Sequence, residues 1–177
     1  MNKTFRLVFL SLLAAQALLL YSIESLLPLP FIAPGAKLGL ANLITVIALY
    51  TLPSKKDVAA MLVLRLLLSA IFFGGLSAFI YSVAGATLSL LSMIAVKEIG
   101  RDKVSMIGVS AAGAVFHHIG QLLVAAAIVE NAGLMLYLPL LSIAGIGTGI
   151  FIGIAANFAV RHLENLPFFR NFSAPEN

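Results

Sequence analysis

VAAMLVLRLLLSAIFF, residues 58–73, holds a single charge, Arg65, in an otherwise apolar run. A charged side chain at membrane depth costs roughly 2.5–3.5 kcal/mol on insertion scales, so it usually faces a bundle interior or a wet cavity. Whether this stretch is a membrane segment is decided by what surrounds it. The chain has 177 residues, 61% of them hydrophobic and 10% charged. Soluble domains carry about 25% charged residues. With a mean hydropathy of +1.08, a soluble globular domain is excluded. Cysteine is absent, which removes a disulfide framework and any thiolate metal site. The net charge of +4 does not indicate nucleic-acid binding. The basic residues lie in short segments between apolar runs and not in one dense patch.

About 20 apolar residues cross a bilayer. Six spans are predicted, at about 5–23, 38–52, 58–73, 76–96, 104–129 and 136–160. The second and third are short. Lys and Arg set the orientation. Lys3 and Arg6 open the first span, Lys55 and Lys56 separate the second from the third, and Lys97, Arg101 and Lys103 separate the fourth from the fifth. Arg161 and Arg170 follow the sixth. With six spans, nine of the 11 basic residues fall on one side, Lys37 alone falls on the other, and Arg65 lies between. The expected fold is therefore an all-α integral membrane protein, a compact six-helix transmembrane bundle with both termini cytoplasmic. Glu24 and Glu130 belong to the outer side. The first span is expected to remain as a helix, because no small-residue cleavage site follows it. Tyr21, Tyr50 and Tyr137 lie near span ends, as interfacial anchors do.

The outer connector LLPLPFIAPGA, residues 26–36, contains three prolines and cannot be a regular helix. It is too apolar for a solvated loop. It reads either as a lid over an outward-facing pocket or as a tight connector resting on helix ends.

Two spans carry small-residue faces. Gly145, Gly149 and Gly153 follow one another at four-residue steps, which lets a neighbouring helix approach closely. Ser82, Gly85, Ser89 and Ser92 lie near one face of the fourth span. The candidate ligand-binding residues are Lys37, Asn42, Arg65, His117, His118 and Gln121. His117, His118 and Gln121 share a broad helical face, roughly 20 Å from the cytoplasmic end of their span. They fit either a buried structural hydrogen-bond network or a polar pocket. No metal site is expected, since no carboxylate is expected at that depth. Arg65 lies about 10 Å in from the cytoplasmic end of its span. It either snorkels to that surface or points inward toward the histidines. Lys37 and Asn42 stand at the outer mouth of the second span. No catalytic residue is assigned: there is no carboxylate pair within a span, no Walker A motif and no aspartate-rich motif. No cofactor is expected.

The segment PGAKLGLAN, residues 34–42, after LLPLPF, resembles a bacterial membrane-protein family described as Gx transporter or heptaprenyl diphosphate synthase component I. FFGGLSAFIYSVAGATLS, residues 72–89, and HHIGQ, residues 117–121, carry the same likeness. That family in turn resembles the substrate-binding S components of energy-coupling factor (ECF) uptake transporters. The resemblance implies a six-helix, multi-pass protein of the bacterial cell membrane. It implies capture of a vitamin-like or quinone- or isoprenoid-related small molecule, with a coupling subunit and two ATPases as partners. It also implies a coupling-subunit contact at small residues of the first helix, here Ser11, Ala14 and Ala15. The synthase description implies instead a membrane subunit of a polyprenyl diphosphate synthase, whose soluble counterparts use aspartate-rich metal motifs that this chain lacks.

Overall fold

The computed structural model describes residues 3–26, 39–73 and 75–166. Six α-helices make up the described chain, with no strand among the described residues. They are α1 (Lys3–Leu26), α2 (Asn42–Thr51), α3 (Lys55–Phe73), α4 (Leu76–Gly100), α5 (Met106–Val129) and α6 (Leu138–Asn165). Short 3-10 turns at Arg101–Lys103 and Ala132–Tyr137 precede α5 and α6.

Local chemistry sets the breaks. Pro53 has no amide hydrogen and pushes Leu52 to an extended conformation, which ends α2. The Ser54 hydroxyl then accepts from the Lys56 amide at 3.2 Å and opens α3. Ser105 caps α5 by accepting from the Gly108 amide at 3.3 Å. Glu130 closes α5 in the left-handed region. Asn131 Oδ1 accepts from the Gly133 amide at 2.8 Å, and Pro139 sits in the first turn of α6, where its missing amide hydrogen costs nothing.

The helices alternate in direction. Arg6 at the start of α1 is ion-paired with Asp57 at the start of α3. Lys55 is ion-paired with Glu98 near the end of α4. Lys97 donates to the Leu49 carbonyl at the end of α2 at 2.6 Å, and its ammonium lies 3.9 Å from the Tyr50 ring centre. These contacts gather one end of the bundle. At the other end, the Tyr21 and Phe73 rings bring together the last turns of α1 and α3, 6.2 Å apart. Glu24 there reaches Gly39 and Leu40, just ahead of α2.

α5 is the packing centre, with its most extensive contacts to α4 and α6. The α6 glycines run antiparallel along it. A methyl group at Gly145 would lie 2.9 Å from His118 Cδ2, one at Gly149 2.5 Å from Ala111 Cα, and one at Gly153 2.6 Å from Ile107 Cα. On the opposite flank, a methyl group at Gly120 would lie 2.6 Å from the Ala84 carbonyl oxygen of α4. Ser82, Ser89 and Ser92 of α4 are buried.

The exterior is apolar. Leu12, Leu19, Ile71, Leu91, Phe151 and Phe158 are all exposed, a surface that water does not tolerate at this extent and lipid does. By length and composition, four helical segments can cross a membrane: Lys3–Leu26, Leu76–Lys103, Met106–Val129 and Ala132–Asn165.

Several expectations are corrected. The second span does not start as helix at its predicted edge: Gly39 takes φ +84°, and α2 has only 10 residues, about 15 Å at 1.5 Å each. Tyr21 is no interfacial anchor; it is buried against Phe73 and Arg65. Ala14 is buried in the core, because it faces inward on α1, so it presents no surface to a coupling subunit. Ser11 and Ala15 are exposed on the outer face of the same helix. The connector of residues 27–38, including Lys37, lies outside the described residues, as does the tail after Leu166.

Candidate functional site

Arg65 is 3% exposed, halfway along α3. Its guanidinium carbon lies 5.4 Å from the centre of the Tyr21 ring. Since Tyr21 also meets Phe73, the last residue of α3, the side chain reaches away from the Lys55–Asp57 end. It does not snorkel to the nearer surface. Tyr21 covers it as an aromatic face covers a cation. The Arg65 Nε and Nη1 atoms are buried and have no hydrogen-bond partner among the described residues.

Around Arg65 the bundle places the other polar groups. Glu24, at the end of α1, is 3% exposed. Its Oε1 accepts from the Gly39 amide at 2.6 Å and its Oε2 from the Leu40 amide at 3.1 Å. The carboxylate also acts electrostatically on Arg65. Gly39 is required on two counts. Its positive φ suits glycine, and a methyl group there would sit 3.1 Å from Asn42 Nδ2 and 3.3 Å from His117 Cδ2. The Glu24-held turn therefore brings Asn42 of α2 and His117 of α5 to one spot. His117 rests on Gly85 of α4: a methyl group at Gly85 would lie 2.9 Å from its ring. Arg65 in turn acts electrostatically on His117. Asn42 Nδ2 and Thr45 Oγ1 on α2 are buried without a hydrogen-bond partner among the described residues.

Of the six residues singled out in the sequence, Asn42, Arg65 and His117 converge on this cluster. His118 instead faces α6, with its ring 6.0 Å from that of His117 and packed on Gly145. Gln121 lies between the two, beside Gly85 and within hydrogen-bonding reach of His118. Lys37 lies outside the described residues.

Sequence reasoning missed Glu24, Tyr21 and Thr45. Glu24 also corrects the expectation that no carboxylate stands near the histidines. Its position at the end of an apolar helix reads as interfacial, and only the turn at Gly39 and Leu40, 15 and 16 residues on, draws it inward. Thr45 falls three residues after Asn42 on the same face of α2, a period that could have revealed it. Among the described residues no group of three His, Cys, Asp or Glu is placed to hold a metal ion. A cleft of about 290 Å³ at the opposite end of the bundle is lined by Leu49, Leu52, Lys55, Ile94, Lys97 and Glu98. Its charged groups are already paired.

Among the described residues, a bundle of apolar helices of the kind found in membrane proteins encloses one buried Lys or Arg, Arg65, with hydrogen-bond donors turned inward. The sequence profile of the family described as heptaprenyl diphosphate synthase component I matches residues 13–159, and the chain belongs to that family. No curated protein matches the chain. No solved structure matches it either.

Proposed function

We propose that this protein is the substrate-capture subunit of a bacterial uptake system of the ECF type, with a small molecule held in the polar cluster around Arg65. The observation that carries the proposal is the buried Arg65 guanidinium, whose Nε and Nη1 have no hydrogen-bond partner among the described residues. Buried donors left without hydrogen bonds cost about 1–3 kcal/mol each, so a fold retains them where a ligand or bound water completes them. In this reading all six helices cross the cell membrane, α2 and α3 as short spans, and both termini face the cytoplasm. The clustering of Lys55, Lys97, Arg101 and Lys103 at one end supports that orientation. The subunit is not itself an enzyme and has no nucleic-acid partner. It delivers its ligand through a coupling subunit and two ATPases, with Ser11 and Ala15 on an exposed α1 face as the contact.

The test is gentle extraction from the native membrane. Co-purification of the ATPases and of a bound small molecule is expected. Recovery of the chain with neither would contradict the proposal.

The family description favours a second reading: a membrane component of a polyprenyl diphosphate synthase that works with another synthase subunit. In that case Arg65 and Lys37 bind diphosphate. Magnesium-dependent prenyl transfer that requires this chain, assayed with farnesyl diphosphate and isopentenyl diphosphate, would establish it over the first.

A further inference from the structure

The cleft at the charged end of the bundle lies between α2, α3 and α4, far from Arg65, and has a volume of about 290 Å³. Leu49, Leu52, Val58 and Ile94 give it apolar walls. Three charged side chains also line it: Lys55, Lys97 and Glu98. Lys55 acts electrostatically on Lys97, so two ammonium groups share the cleft with one carboxylate. Their present contacts leave room for a ligand. The Lys55–Glu98 pair is exposed on both sides, and such pairs are weak and screened by salt. Lys97 Nζ donates to the Leu49 carbonyl at 2.6 Å, but an ammonium has three N–H donors. A singly charged anion between the two lysines would relieve their repulsion and take up the other donors.

The surface beside the cleft is suited to hydrocarbon. Leu91 and Ala95 precede Glu98 by seven and three residues, which places all three near one face of α4. Leu91 is about 10 Å further along the helix axis. Both apolar residues are exposed. With Leu88 and Phe116 they border a second hollow, about 300 Å³, on the outer face of α4 and α5. A free phosphate ion would gain nothing from the leucine walls or from this hollow. An amphiphile with a singly charged head would use both. Where a bundle meets the headgroup layer, basic residues between helices select anionic lipids.

We propose that the cleft between α2, α3 and α4 binds the headgroup of an anionic phospholipid, with its phosphodiester between Lys55 and Lys97 and an acyl chain along α4 over Leu91 and Ala95. The proposal needs this end of the bundle to lie at a membrane face. It is independent of what the Arg65 cluster receives.

The experiment uses the full-length chain in detergent, stripped of lipid and titrated with phosphatidylglycerol or phosphatidylcholine. Native mass spectrometry counts the bound lipids. Wild type should hold one phosphatidylglycerol at least fivefold more tightly than phosphatidylcholine. Lys55→Gln and Lys97→Gln should each weaken phosphatidylglycerol at least fivefold, and Ala95→Trp should weaken it by obstructing the chain. Lys3→Gln removes a charge from the start of α1, outside the cleft, and should change nothing. Should Lys97→Gln not fold, the exposed Lys55→Gln and Ala95→Trp carry the test. Equal weakening by Lys3→Gln would overturn the proposal in favour of diffuse attraction. Full displacement of the lipid by millimolar inorganic phosphate would overturn it in favour of a free-phosphate site. Unchanged lipid binding in Lys55→Gln and Ala95→Trp would overturn it and leave the cleft to a protein partner.

Discussion

At the scale of single residues, Arg65 and Glu24 divide two tasks that a salt bridge would merge. Glu24 spends its oxygens on the Gly39 and Leu40 amides, and Arg65 keeps two nitrogens without a partner among the described residues. Each charge-assisted hydrogen bond contributes about 1.5–3 kcal/mol. Glu24→Ala should therefore destabilise the protein by about 3–5 kcal/mol and lower ligand affinity with it, because the turn that places Asn42 loses its anchor. Chemical unfolding in micelles measures the first effect, and ligand titration the second. Gly39→Ala should act in the same direction more weakly, by about 1–3 kcal/mol, through its positive φ and its crowding against Asn42 and His117. Arg65 is legible in the sequence because a lone charge in an apolar run has few explanations. Glu24 is not, since its burial depends on the path of a connector 15 residues long.

Helix pairing rests on small residues at the α5–α6 seam. Gly149→Ala should separate the helices and cost about 1–3 kcal/mol by overpacking, since the added methyl group would meet the Ala111 backbone at 2.5 Å. Gly147→Ala on the outer face is the control. Nothing lies within 4 Å of its added methyl group, so it should be neutral or stabilising by up to about 1 kcal/mol. Thermal unfolding of the two variants side by side checks both. Helix positions are readable in the sequence wherever charges or prolines punctuate apolar runs, as at Pro53 and at Lys97–Lys103. The four-residue period of Gly145, Gly149 and Gly153 marks a close seam but not its partner. Which helix lies opposite is decided by tertiary packing, and His118 is drawn to that seam and away from the Arg65 cluster. Ala14 shows the same limit: small residues on a helix do not reveal whether they face a partner or the core.

Taken as a whole, the bundle has a charged end, where Arg6, Asp57, Lys55 and Glu98 pair, and an end where Glu24 and the start of α2 meet. With no native cysteine, single-cysteine labelling reads the orientation directly. Cysteines at Lys56 and Arg101 should label from the cytoplasm, and one at Glu130 from outside. Labelling of the Lys56 position from outside would break the proposed six-span arrangement. Composition makes the membrane setting plain. The candidate site is less legible, because it is assembled from five helices that approach only in the folded chain. The most direct measurement is ligand titration of wild type, Arg65→Ala and Arg65→Lys, with the molecule released from the purified protein as probe. Capture through Arg65 predicts at least tenfold weaker binding for Arg65→Ala in a folded protein. It predicts only partial recovery for Arg65→Lys, because an ammonium is a point charge and lacks the planar fork. Unchanged affinity in folded Arg65→Ala would contradict it.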